Sequence, residues 1–89
     1  MAWRIEFLPQ VEKELARLDK PQAVRLLRFL NERVAPLDDP RSIGAALTGA
    51  ELGNFWKYRV GDFRIVADIR DREILIVVVR IGDRKAVYR

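Results

Sequence analysis

Gly61 and Asp62, the two residues between the alternating runs "FWKYRV" and "FRIVADI", constrain this chain more than any other feature. A two-residue loop with glycine first closes a tight β-hairpin. It makes Val60 and Phe63 direct cross-strand partners, and the register of every residue behind them follows. Arg59 then faces Arg64, and Lys57 faces Val66. Because strand side chains alternate, Trp56, Tyr58, Val60, Phe63, Ile65, Ala67 and Ile69 share an apolar face suited to receive helices. Phe55, Lys57, Arg59, Arg64, Val66 and Asp68 share the other.

Two arginines directly opposite one another, with a lysine one step away, destabilise a sheet by up to about 1 kcal/mol. Two explanations stay open on the hairpin alone. Either the side chains splay into solvent and salt screens them, or they converge on an anion such as a phosphate whose charge rises during reaction. If the following "RDRE" turn is also tight, Val77 and Val79 lie beside Val66 and Arg64. The cations then stand on an apolar, partly dry floor.

Upstream, "AWRIEFL" (2–8) alternates as a half-buried strand, with Trp3, Ile5 and Phe7 against Arg4 and Glu6. Pro9 suits the first turn of a helix, and Val11, Leu15 and Leu18 predict an amphipathic helix over 10–19. Pro21 opens a second helix with Val24, Leu27, Leu30 and Val34 as its apolar stripe, and Pro36 stops it. Residues 36–53, rich in Pro, Gly and Asp, read as a loop, long enough to be functional or internally structured. Three strands follow, at about 54–60, 63–69 and 73–81. The expected fold is α+β: an N-terminal strand, a helical hairpin and a three-stranded antiparallel meander, with the helices on one face of a four-stranded sheet. The last strand, "ILIVVVRI", is apolar on both faces. Ile74, Ile76 and Val78 read as ordinary central-strand core. Leu75, Val77 and Val79, on the face away from the helices, call for a cover from the 36–53 loop, the C-terminal tail or a partner.

The length, 89 residues, allows one domain, 1–89, with one core. A net charge of +4 suits nucleic acid or another polyanion. The absence of cysteine removes disulfides, thiolate nucleophiles and Cys-ligated metals. The absence of histidine removes the usual acid–base group at neutral pH and the commonest imidazole ligands. Catalysis, if any, falls to Lys, Arg, Tyr or carboxylates. The N-terminus lacks the apolar core of a signal peptide, and the longest apolar run is too short to span a bilayer. A soluble, non-membrane, cytoplasmic protein is the expectation.

The order strand, helical hairpin, "LTG" near residue 48, "GNFWKYRVGDFRIV" and "VRIGDRKAVYR" resembles the RelE/ParE superfamily of type II toxins across essentially the whole chain, and within it the RelE branch. The resemblance implies the RelE-like microbial RNase fold. It also implies a metal-independent endoribonuclease that enters the ribosomal A site and cuts mRNA by 2′-hydroxyl attack, leaving a 2′,3′-cyclic phosphate. No cofactor is implied. The implied partners are a cognate antitoxin, the 70S ribosome with its mRNA, and operator DNA reached through the antitoxin.

The family's functional positions fall on Lys57 and Arg59 of one strand, Arg64 of the next, Arg84 just after "IG", and the terminal Tyr88. Arg59, Arg64 and Arg84 would supply charge stabilisation on the phosphate. Neighbouring arginines should lower the pKa of Lys57 and Tyr88, making either a base for the 2′-hydroxyl. Lys57 is the preferred base, with Tyr88 stacking on the nucleobase. Asp83 departs from relatives that carry His or Lys there. Lys13, Arg17, Lys20, Arg25, Arg28 and Arg33 on the helices, with Lys85 and Arg89 in the tail, are candidate RNA contacts. An antitoxin segment over Leu75, Val77 and Val79 would complete the sheet's second face. A non-catalytic ParE-like gyrase inhibitor and an inactive binding or autoregulatory homologue are the alternatives. The convergent cations count against the gyrase inhibitor, which does not need them.

Overall fold

The computed structural model describes residues 2–47 and 55–83. Strand β1, Arg4–Phe7, leads into helices α1, Pro9–Arg17, and α2, Lys20–Phe29. Strands β2, Ala45–Ala46, β3, Trp56–Val60, β4, Phe63–Arg70, and β5, Leu75–Asp83, complete one sheet. Its order is β1-β5-β4-β3-β2, with β1 parallel to β5 and the other pairs antiparallel. The four expected strands are present, and the two-residue β2 adds a fifth at the edge.

Proline opens both helices, where a missing N–H costs nothing. Glu12 in the first turn of α1 and Arg17 in its last suit the helix dipole. At the end of α2 the turn Leu30–Val34 is π-helical, with the Ala35 N–H bonded to the Leu30 carbonyl at 2.9 Å. A strict α-helix advances about 100° per residue, so positions four apart drift around it. The wider π-turn counters that drift and keeps Leu26, Leu30 and Val34 all buried. The buried stripe of α2 therefore differs from the expected one. Leu26 replaces Val24, which stands 40% exposed, and Leu27 is only half-buried.

The core lies between the helices and one sheet face. Val11, Leu26, Leu30 and Val34 meet Trp3, Tyr58, Val60, Phe63, Ile65, Ala67, Ile69, Ile76, Val78 and Ile81. All the apolar-face residues read from the hairpin except the half-buried Trp56 belong to this buried set, and Trp56 packs against it. The helices thus cover the face opposite to the one that carries Lys57, Arg59 and Arg64.

The segment after Pro36 has a structure of its own. Asp39 caps a short 3₁₀ turn, Pro40–Ser42, accepting from the Arg41 N–H at 2.9 Å. The turn is then fastened to the sheet. The Tyr58 hydroxyl donates to the Pro40 carbonyl and the Trp56 indole N–H to the Ile43 carbonyl, both at 2.7 Å. Arg41 grips the Asp71 carboxylate with two bonds of 3.1 and 3.0 Å. That grip raises the Arg41 pKa and holds the Asp71 carboxyl below its ordinary value.

The last strand corrects two expectations. The β4–β5 connection is a 3₁₀ turn, Asp71–Glu73, closed by Ile74 in the left-handed region at φ 51°. Ile74 is therefore a partly exposed turn residue, while Ile76 and Val78 sit in the core. Further along, Ala67 pairs with Val78 but Val66 pairs with Arg80, so Val79 is the extra residue of a β-bulge. Val77 faces Asp68, and Gly82 faces Arg64. The apolar floor expected from Val77 and Val79 is absent, because the turn is longer and the bulge shifts the register.

Candidate active site

The hairpin register is as the two-residue loop requires: Val60 pairs with Phe63, Arg59 with Arg64 and Lys57 with Val66. Gly61 has φ +60° and Asp62 has no positive φ, the combination of a type II′ turn. Pairs alternate along an antiparallel ladder, so the Arg59–Arg64 pair, next to the turn-closing pair, is of the close kind, with Cα atoms about 4.5 Å apart. Both arginines are exposed. Strand pairing, not attraction, holds them together.

Lys57, Arg59 and Arg64 line one recess of about 270 Å³, walled at the sheet edge by Gly44 and Ala45. Ala45 is placed there by pairing with Lys57. Gly44 adopts φ +83°, and a Cβ on it would lie 2.4 Å from the Lys57 carbonyl oxygen. Only glycine lets the edge come this close. On the other side, the row Lys57–Val66 continues to Arg80, and the row Arg59–Arg64 to Gly82. A Cβ on Gly82 would meet no atom within 4 Å, so the space beside Arg64 stays open.

Three of the five expected catalytic residues are thus described and adjacent. Arg84 and Tyr88 lie outside the described residues, as do Lys85 and Arg89. Lys13, Arg17, Lys20, Arg25, Arg28 and Arg33 are exposed on the helical layer and do not line the recess. Leu75 and Val77 are only 5% and 6% exposed and need no partner for their burial, whereas Val79 is half-buried. The sequence reading missed Arg80 and Gly44. Arg80 was visible as the lone cation in an apolar strand, and Gly44 as a glycine beside a run of small residues.

Tyr58 supports the recess from behind. Its ring is 1% exposed and packs edge-on to Phe29, with centroids 5.9 Å apart. Burial pushes its pKa up to about 12, with Arg41 opposing and Asp39 adding a smaller push. The phenol ionises near 10.0 in the unfolded chain, so its stabilisation is complete below that pH and lost as pH rises through about 12. One of the two tyrosines is therefore expected to ionise late in an ultraviolet titration of the folded protein. Tyr58→Phe should remove that late step and flatten the loss of stability across the same interval. A wild-type titration with both phenols ionising near 10 contradicts this account.

The fold is a small α+β one, two helices on one face of a five-stranded sheet. By structure the chain is similar to the toxin–antitoxin complex RelBE2 from Mycobacterium tuberculosis, with 19% identity, a TM-score of 0.82, and 94% of this chain and 93% of that chain covered. The archaeal RelE–RelB complex from Pyrococcus horikoshii matches at 26% identity and TM-score 0.69, over 94% and 97%. A mutant of the E. coli toxin RelE in the free state matches at 23% and 0.74, over 99% and 90%. No curated protein matches by sequence. The model of the ParE toxin family of type II toxin–antitoxin systems matches residues 5–88, and the chain belongs to that family. It is a type II toxin of the RelE/ParE superfamily. Among the described residues no helix is long and apolar enough to cross a membrane.

Proposed function

We propose that this toxin is a ribosome-dependent, metal-independent mRNA endoribonuclease acting in the A site. The observation that carries the reading is the Arg59–Arg64 pair beside Lys57, around one recess. Adjacent like charges cost a sheet stability, and a bound phosphate would turn that cost into attraction. A recess lined by three cations also repels a metal ion.

In the proposed reaction the 2′-oxygen attacks the adjacent phosphorus and forms the cyclic ester. The bond from phosphorus to the 5′-oxygen breaks, and that oxygen takes up a proton as it leaves. Lys57 receives the 2′-hydroxyl proton, with Tyr88 stacking on the base and sharing the transfer. Arg59, Arg64 and Arg84 hold the charge on the non-bridging oxygens. Exposed helix cations such as Lys13, Arg17 and Lys20 meet ribosomal phosphates. The proposed protein partner is a cognate antitoxin, as in the RelB-type complexes of the structural relatives. Val79 is the part of the apolar strip left for it to cover, and the cytoplasm is the proposed location.

The ParE family match favours a second reading, a non-catalytic inhibitor of DNA gyrase. The two separate in one pair of assays. Ribosomes programmed with mRNA should yield cuts in codon register, mapped by primer extension, while gyrase supercoiling proceeds unchanged. Intact mRNA with blocked supercoiling would favour the gyrase reading, and neither effect would favour an inactive homologue.

A further inference from the structure

A second depression, of about 470 Å³, lies where α2 meets the turn of the β3–β4 hairpin. Its wall carries Arg25, Arg28 and Arg33 of the helical layer and Arg59 of β3, with Pro21 and Val24 as its apolar part. The acid in this lining is Glu32, which pairs with Arg28 at 3.6 Å. Arg25 lies over the turn: a Cβ on Gly61 would lie 2.8 Å from Arg25 Nη1 and 3.1 Å from its guanidinium carbon. The helix therefore lays a guanidinium over the glycine of the hairpin. Val24, the residue that leaves the core stripe, is exposed beside it. Arg59 lines both this groove and the catalytic recess.

We infer that the groove is a binding subsite for single-stranded RNA flanking the scissile phosphate. The inference rests on the nuclease reading of the recess. Two depressions that share one arginine fit a ligand bearing anions at regular intervals along an extended backbone. Guanidinium planes next to an apolar shelf suit nucleotides, whose bases stack while their phosphates are neutralised. One phosphate sits in the recess, Arg59 bridges, and the next nucleotides pass over Gly61 to Arg25 and Arg28.

The test uses the full-length toxin and a fluorescein-labelled 2′-O-methyl hexauridylate, which cannot form the cyclic phosphate. Its anisotropy is followed across a salt series. For a single strand, each phosphate contact contributes about −0.7 to the slope of log K against log salt. Arg25→Gln with Arg28→Gln should weaken binding at low salt by about tenfold and flatten the slope by about 1.4. Arg72→Gln, an equal change per residue in the turn at the far end of β4, should leave the slope unchanged. Circular dichroism confirms that the variants fold. An unchanged slope in the double variant, or an equal effect from Arg72→Gln, overturns the groove even if programmed ribosomes are still cut. So does a hexaglutamate peptide that displaces the oligonucleotide at equal concentration, since the groove then reads charge alone. Intact mRNA on the ribosome with the slope change present removes the nuclease reading, and with it the subsite beside a scissile phosphate, leaving a groove that only binds RNA.

Discussion

Replacing Arg64 by alanine is expected to abolish mRNA cleavage while leaving the protein as stable as before, or more so. The two effects come from the same pair. In the reaction, Arg64 is one of the groups that meet the rising phosphate charge, and loss of one such donor typically costs about 10²–10³ in rate. In the fold, it faces Arg59 across the ladder and is exposed, so its removal opens no cavity. Relief of the repulsion contributes up to about 1 kcal/mol, which for a domain this small corresponds to a rise in Tm of at most about 4–8 °C. The measurements are primer extension on programmed ribosomes, calorimetric Tm and retained antitoxin binding. Arg84→Ala is expected to match the loss of cleavage. Full toxicity in both variants would show that these arginines are not the site. A fall in Tm for Arg64→Ala would show instead that the guanidinium is bound within the fold.

How much of this was legible in the sequence depended on how each segment announces its geometry. The hairpin was readable because Gly61 and Asp62 leave one way to close it, and closure sets all five β3–β4 pairs. The next turn carried no such constraint. In "ILIVVV" every residue is apolar, so no alternation marks which valine is the extra one, and the bulge at Val79 was invisible. Its consequence, Arg80 beside Val66 instead of an apolar floor, was lost with it. The face of α2 was misjudged for a related reason. A 3.6-residue period selects Val24 and Leu27, whereas the π-turn favours the spacing of four that Leu26, Leu30 and Val34 share. The edge at Gly44–Ala45 reads as loop because two small residues carry no pattern, although the pairing of Ala45 with Lys57 and of Ala46 with Trp56 makes it part of the sheet. Local turn chemistry was readable, and pairings set by distant contacts were not.

Gly44→Ala is expected to be the most damaging change at the recess that touches none of its cations. Two penalties act together. The backbone at φ +83° lies where an L-residue is strained, at about 1–2 kcal/mol. The added methyl would also stand 2.4 Å from the Lys57 carbonyl oxygen, 2.8 Å from Trp56 Nε1 and 2.9 Å from Tyr58 Cδ1. The first of these is backbone and cannot swing aside, and overpacking of this kind costs about 1–3 kcal/mol. A sum of about 2–5 kcal/mol is a large share of the stability of a small domain. The two-residue β2 has little pairing to resist it, so the edge should lift rather than the core unfold. Ala45 then leaves Lys57, and the Trp56 bond to Ile43 breaks. The expected signature is faster hydrogen exchange confined to residues 40–47, with cleavage falling further than the loss of folded protein explains. Gly82→Ala is the control for backbone effects on stability, since a methyl there meets nothing within 4 Å. If Gly44→Ala cleaves normally with unchanged exchange at the edge, the wall beside Lys57 has no part in shaping the recess, and the strand ladder alone sets the cations in place.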